Sequence, residues 1–209
     1  MKNKIALIVT TKTDLNYSYY NSDKFYIVGV ERGCLDLIDK NIKIDLAISD
    51  FDHVLDGELD LIKSKAKKFI QLKSDKDELD GIAAIEYVNE IIKPESIKFV
   101  SKPTKRYDMD FSVLDILNKY HNVEIFNDDS LLKRFEPGEN EIIFDNHQDM
   151  TYISFFSLEN NNHIQLSDLK YEYDGNLDVF STRCISNAFI SYKNPKIKNE
   201  KPLIVVMTK

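Results

Sequence analysis

Asp50 and Asp52 bracket a phenylalanine in AISDFDHV (residues 47–54), and Asp77 and Asp80 stand three apart in SDKDELDG (residues 74–81). Neighbouring carboxylates repel, so they are stable together when hydrated, partly protonated or bridged by a cation. The usual bridge is a hard divalent ion, and Mg2+ combines a few carboxylates with waters and substrate phosphates. Lys76 lies among the acids of the second stretch, where a cation balances their charge. A third stretch, KPTKRYDMDFSVL, puts Asp108 and Asp110 just behind Arg106, whose guanidinium fork suits phosphate oxygens. Each stretch also has a plainer reading, because an aspartate in a turn or at a helix start satisfies free N–H groups and suits the helix dipole. Three acidic stretches at the ends of successive strands are more than capping requires.

The elements that position these acids follow from hydrophobic patterning. IALIVT (5–10), KFYIVGV (24–30), DLAIS (45–49), KFIQL (68–72), IKFVS (97–101) and VEIF (123–126) are apolar without alternation. Such runs predict strands buried on both faces of a largely parallel sheet. CLDLIDK (34–40), ELDGIAAIEYVNEII (78–92) and DFSVLDILNKY (110–120) lie between them as helices. The second carries a stripe of Leu79, Ile82, Ile85 and Val88 and stops before Pro94. Strands alternating with helices give an α/β layer architecture, whose ligands bind beyond the carboxyl ends of the strands. Along an extended chain Asp50 and Asp52 would point the same way there, with Phe51 turned to the core. After residue 128 the pattern changes to short β-branched and aromatic segments separated by PG, NNN, DG and KNP, which predicts an antiparallel β-sandwich. The expected division is an α/β domain over residues 1–130 and an all-β sandwich over residues 131–209.

Composition excludes several function classes. A net charge of −7 argues against a phosphate-backbone binder, so no nucleic acid partner is expected, and it suits a cationic ligand. Two cysteines, Cys34 and Cys184, without CxxC spacing give no disulfide framework or zinc knuckle. Buried, reduced thiols in a cytoplasmic protein are the expectation. The first apolar run is too short for a signal peptide or a membrane span. Neither GxxxxGKS nor GxGxxG occurs, nor a nucleophile elbow, and the four histidines lack metal-ligand spacing. His53 stands apart from the other three because it adjoins the acids.

AISDFDHV followed by DKDELDGIAAI resembles the GDFDS and KDxTD motifs of thiamine pyrophosphokinases, in the same order and spacing. MTYISFFSLENNNHIQLSDLKYEYDGNLDVFSTRCISNAFI, with its LKY segment and SN pair, is similar to the thiamine-binding β-domain of that family. The resemblance spans nearly the whole chain. It implies transfer of the pyrophosphoryl group of ATP to the hydroxyl of thiamine with release of AMP, by a homodimer whose site is assembled between domains of two subunits. It further implies that Asp50, Asp52 and Asp80 hold Mg2+, and that Asp77 and Lys76 join them at the ATP phosphates. KRYDM matches GRxDH, giving Arg106 a phosphate role and Asp108 a catalytic place in the acidic cluster. ERG falls on the DGG turn, so Glu31 stands for its aspartate and Gly33 for a glycine at the nucleotide. Tyr171 occupies a position where some members place a tryptophan beside thiamine, and Ser186 and Asn187 match the SN pair. Arg32, Ser49, His53, Leu79, Met109 and Ala188 depart from the family pattern, and none of them removes a core acid. Two alternatives stay open: a relative that binds thiamine or a nucleotide without catalysis, and a pyrophosphokinase for another small alcohol.

Overall fold

The unbroken apolar runs become strands, buried most deeply in the middle of the sheet: in β1 (Ile5–Val9), Ala6, Leu7, Ile8 and Val9 are fully buried, whereas Phe69–Gln71 holds no buried residue. The computed structural model describes residues 5–75 and 78–209. Beside β1 lie β2 (Phe25–Gly29), β3 (Leu46–Ser49), β4 (Phe69–Gln71), β5 (Ile97–Val100) and β6 (Val123–Phe126), all parallel, in the order β6-β5-β1-β2-β3-β4. The connections carry α1 (Gly33–Asp39), α2 (Asp56–Lys65), α3 (Asp80–Ile91) and α4 (Tyr107–Lys119). The chain steps outward from β1 to β4 and returns to β5 on the other side of β1. The switch point therefore lies between β1 and β5, and ligands of such sheets bind beyond the strands' carboxyl ends.

Packing fixes how those ends are spaced. Leu7, Val9, Ile27, Leu37, Phe51 and Ile62 share one core cluster, and burying each such side chain contributes about 1.5–3 kcal/mol. Phe51 stacks on Phe69 with ring centroids 4.9 Å apart. A Cβ at Gly33 would lie 2.0 Å from the Val9 carbonyl oxygen, so only glycine lets α1 start against the end of β1. The loop after β1 is tied to α1 by Lys40, which donates to Asp36 Oδ2 (2.8 Å) and to the Thr13 carbonyl (2.6 Å). The α3 stripe buries Ala84, Ile85 and Val88, whereas Leu79, expected on that stripe, is the helix N-cap and partly exposed.

Contacts divide the chain into Met1–Asp110 with Asn122–Asp128 and Phe111–His121 with Asp129–Lys209. The second unit contains β7 (Ser130–Phe135), β8 (Gly138–Glu141), β9 (Tyr152–Ser157), β10 (Asn162–Ser167), β11 (Tyr173–Leu177), β12 (Asn187–Ala188), β13 (Lys196–Asn199) and β14 (Leu203–Thr208). They pair antiparallel as β12-β9-β14-β7 and as β11-β10-β13-β8. Alternation sends Ile153 and Phe155 of β9 and Leu203, Val205 and Met207 of β14 into one core with Ile164 and Leu166 of β10 and Ile197 of β13. Both cysteines are buried and unpaired. Among the described residues, no helix is long and apolar enough to cross a membrane.

Candidate active site

Three carboxylates meet beyond β2 and β3. Glu31 follows β2, Asp50 follows β3, and Asp80 is the first residue of α3, with one ligand oxygen of each within 4.8 Å of the others. Asp80 is the acid in the first turn of α3, whose N-cap Leu79 makes no side-chain cap hydrogen bond. Ser49, fully buried at the end of β3, sits between two of the acids, its Oγ 2.5 Å from Glu31 Oε1 and 2.8 Å from Asp80 Oδ2. One hydroxyl hydrogen serves one oxygen at a time, so the second contact calls for a proton or a cation. Burial pushes the Glu31 carboxyl above its ordinary range, an effect partly offset by the Ser49 hydroxyl and the Phe51 N–H. Glu31 Oε2 is buried with no hydrogen-bond partner among the described residues. An all-oxygen carboxylate set with an orphaned oxygen fits a hard divalent cation such as Mg2+.

The backbone around these acids is strained. Glu31 has φ 49° and Phe51 φ 61°, left-handed values that are uncommon for non-glycine residues and costly for a bulky side chain such as Phe51. The turn at Phe51 corrects the expected geometry: the chain is not extended there, and the Asp52 N–H folds back to donate to Asp50 Oδ1 at 3.2 Å. Phe51 still reaches the core, but Asp52 groups with Glu31 and His53, while Asp50 groups with Glu31 and Asp80. His53 Nδ1 lies against Asp52 Oδ1. Arg32 folds towards α2, donating to the His53 carbonyl at 3.2 Å and to both Glu58 oxygens at 3.4 and 3.5 Å. Glu58 also accepts from the Leu55 N–H at the start of α2.

Other expected residues are placed as follows. Gly33 is explained by its approach to Val9, a packing reason independent of any nucleotide. Arg106 and Asp108 form an exposed pair in which the guanidinium holds the carboxyl below its usual range. Asp108 belongs to neither of the two ligand groups found among the described residues. Asp110 accepts from the Thr104 N–H at 2.7 Å, the helix-start role that its position allowed. Lys76 and Asp77 lie outside the described residues.

In the second unit, Asn187 is buried and both its amide oxygen and its amide nitrogen are hydrogen-bonded. Oδ1 accepts from the N–H groups of Tyr171 (3.0 Å) and Ala188 (2.8 Å), and Nδ2 donates to the Tyr171 carbonyl at 2.7 Å. The side chain thus clamps both main-chain groups of Tyr171, whose ring is 58% exposed and carries the Lys170 ammonium 5.4 Å from its centroid. Ser186 sits at φ 59°, and its N–H donates to Ser154 Oγ at 3.0 Å.

A family model described as the thiamin pyrophosphokinase catalytic domain matches residues 17–126, and one described as the vitamin B1 binding domain of the same enzyme matches residues 139–204. The chain belongs to the thiamin pyrophosphokinase family. A thiamine pyrophosphokinase of Bacillus subtilis (strain 168) is 26% identical over 177 residues, covering 82% of this chain and 81% of that protein. The fold is similar to the crystal structure of a Bacillus subtilis thiamine pyrophosphokinase, with TM-score 0.85, 24% identity and 99% of each chain covered. It is also similar to a thiamin pyrophosphokinase from Candida albicans, with TM-score 0.77, 13% identity, and 100% of this chain and 90% of that one covered.

Within this member of the thiamin pyrophosphokinase family, two features escaped the sequence reading. Ser49 was visible only as a replacement for a glycine, and nothing in the sequence says that its hydroxyl bridges two acids. Glu31 stands nearer the centre of the carboxylate cluster than its place in an ERG turn suggested. The available signal was the apolar strand FYIVG continuing through Val30 into Glu31.

Proposed function

We propose that this chain is a thiamine pyrophosphokinase acting as a cytoplasmic homodimer. The observation that carries the reading is the convergence of Glu31, Asp50 and Asp80 at the carboxyl end of a parallel sheet, with Glu31 Oε2 unpartnered among the described residues. In the reaction the thiamine hydroxyl oxygen bonds to the β-phosphorus of ATP and the bond from that phosphorus to the α,β-bridging oxygen breaks. AMP leaves with the bridging oxygen, and the hydroxyl proton passes to a carboxylate of the cluster. Glu31, Asp50 and Asp80 would hold Mg2+, with Asp52 beside them, and the ion supplies charge neutralisation and a template for the polyphosphate.

The chain's own residues orient the two substrates. Arg106, steadied by Asp108, offers a planar fork to phosphate oxygens, and Lys76 and Asp77 are assigned to the same polyphosphate. Tyr171, held by Asn187 through its main chain, offers an exposed ring face to the thiamine cation, worth about 0.5–2 kcal/mol. Ser186 turns the chain beside it.

The test is to incubate the purified protein with thiamine, ATP and Mg2+ and to quantify products by chromatography. Thiamine diphosphate and AMP in equal amounts are expected. ADP instead of AMP would overturn pyrophosphoryl transfer, and thiamine binding without products would make the chain a binding relative. Turnover only with other alcohols would change the acceptor. A solution mass of twice the 24.3 kDa chain is expected from sedimentation, and a monomer would remove the homodimer.

A further inference from the structure

We infer that Arg32 binds the polyphosphate of the nucleotide, meeting phosphate oxygens with the Nε–H edge of its guanidinium. The inference rests on the pyrophosphokinase reading and adds to it a residue outside the acidic cluster. Arg32 follows Glu31 directly, and the left-handed turn at Glu31 parts the two side chains. Glu31 turns in to the Ser49 hydroxyl, whereas Arg32 reaches towards α2. There Nη1 donates to the His53 carbonyl at 3.2 Å and to Glu58 Oε2 at 3.4 Å, and Nη2 donates to Glu58 Oε1 at 3.5 Å. Side-chain atoms of Asp52 and His53 lie within 4.8 Å of a Glu31 oxygen, so a guanidinium bonded to residue 53 stands beside the carboxylates.

These contacts occupy the end of the guanidinium and leave its side. Of the five N–H groups, two face Glu58 and a third, on Nη1, faces the His53 carbonyl. The Nε–H and the outer N–H of Nη2 have no partner among the described residues. They lie parallel along one edge, the arrangement that accepts two oxygens of one phosphate. The side chain is 55% exposed, so a ligand can reach it. The plainer role, an anchor for α2, is poorly served by this geometry. An exposed ion pair at such length adds little to stability. Glu58 does its work at the start of α2 without the arginine, since its Oε2 accepts from the Leu55 N–H at 3.0 Å. Glu58 therefore orients the arginine rather than the arginine the helix, and a planar fork held from behind is preorganised for phosphate.

The test measures binding of the Mg2+ complex of α,β-methylene ATP, which carries the polyphosphate but cannot release AMP. Calorimetry is run on the full-length chain, with thiamine titrated separately. Arg32→Met keeps the apolar stem and should bind the analogue about tenfold more weakly, the loss of one charge-assisted contact. Its thiamine affinity and melting temperature should match those of the wild type. Glu58→Gln separates the two roles, because the amide oxygen still accepts from the Leu55 N–H while the charge is gone. This variant should bind the analogue at least as tightly as the wild type, since nothing then offsets the guanidinium charge. Unchanged nucleotide affinity in Arg32→Met overturns the inference. A loss in Glu58→Gln as large as that in Arg32→Met also overturns it, because Arg32 would then act only by holding α2. A wild-type chain that does not bind the analogue overturns the inference and the pyrophosphokinase reading together, whereas the first two results overturn the inference alone.

Discussion

The end of the parallel sheet and the Tyr171 corner of the second unit present ligand surfaces by opposite means. Around Glu31, Asp50 and Asp80, like charges are crowded together, Glu31 Oε2 has no partner among the described residues, and the main chain is strained at residues 31 and 51. Around Tyr171 every polar atom of the Asn187 amide is engaged, and the product is an exposed aromatic ring on a fixed main chain. The first surface is built from unmet electrostatic demand, the second from complete internal satisfaction. Substitutions in the first should therefore separate activity from stability, and substitutions in the second should couple them.

The largest expected effect is that of Asp80→Asn. Removing one charge from the cluster should lower turnover about 10²–10³-fold, comparable to deleting one preorganised electrostatic contact. The melting temperature should hold or rise, because repulsion with Glu31 and Asp50 is relieved. A drop in melting temperature that parallels the lost turnover would break the comparison. Asn187→Ala should behave in the opposite way. It leaves the Tyr171 N–H and carbonyl without partners, at a cost of about 2–3 kcal/mol in urea unfolding. Thiamine affinity in calorimetry should fall with it and ATP affinity should not. Unchanged stability would mean that water replaces the amide and that the clamp is dispensable.

The same contrast explains what was legible in the sequence. The six runs read as buried strands lie within a residue of β1 to β6, because an unbroken apolar run between helices leaves few alternatives to a parallel strand covered on both faces. α2 was not foreseen, since Ile62 is its only fully buried side chain and the apolar stripe that signals a helix is nearly absent. β13, KIKN, also escaped, because its inward positions are Ile197 and the polar Asn199, which bonds to the Glu136 carbonyl at 3.1 Å. VFSTRC, read as part of a strand, is mostly turn, with Phe180 at φ 61°. At the site the acids were legible because clustered charge needs a reason. The turn at Phe51 was not, since nothing local marks an aromatic residue as left-handed. Asn187 was noticed through its motif, but its role as a clamp depends on a pairing sixteen residues apart in the chain.

Asp45 sharpens the comparison from inside the first unit, as a buried acid whose partners are all present. Burial alone would raise its pKa, but Lys67 at 2.8 Å, the Ile27 N–H at 2.9 Å and Lys43 at 3.6 Å outweigh that and lower it. A carboxyl lowered on folding contributes stability above its unfolded value of about 3.9, and the contribution disappears as pH falls through the folded value. Asp45→Asn should therefore cost about 1–2 kcal/mol near neutral pH, a figure discounted because Lys67 is largely exposed. The difference between wild type and variant should shrink as urea melts are repeated below about pH 4. A constant difference across that range would remove the ionic part of the argument and leave only the Ile27 hydrogen bond.

The smallest expected effect is at Ser186. A non-glycine residue at φ 59° carries a steric cost that glycine escapes, yet glycine also gains freedom in the unfolded chain. These terms oppose each other, so Ser186→Gly should change stability by no more than about 0.5 kcal/mol. The bond from the residue 186 N–H to Ser154 belongs to the main chain and survives the substitution. What the variant removes is the hydroxyl alone, and loss of one hydrogen bond to thiamine should weaken its binding about fivefold, or about 1 kcal/mol. Unaltered affinity would assign Ser186 to turning the chain and leave the Tyr171 ring as the element of this corner that meets the ligand. The contrast between the two surfaces would then be sharper, with charge supplied wholly by the first and shape wholly by the second.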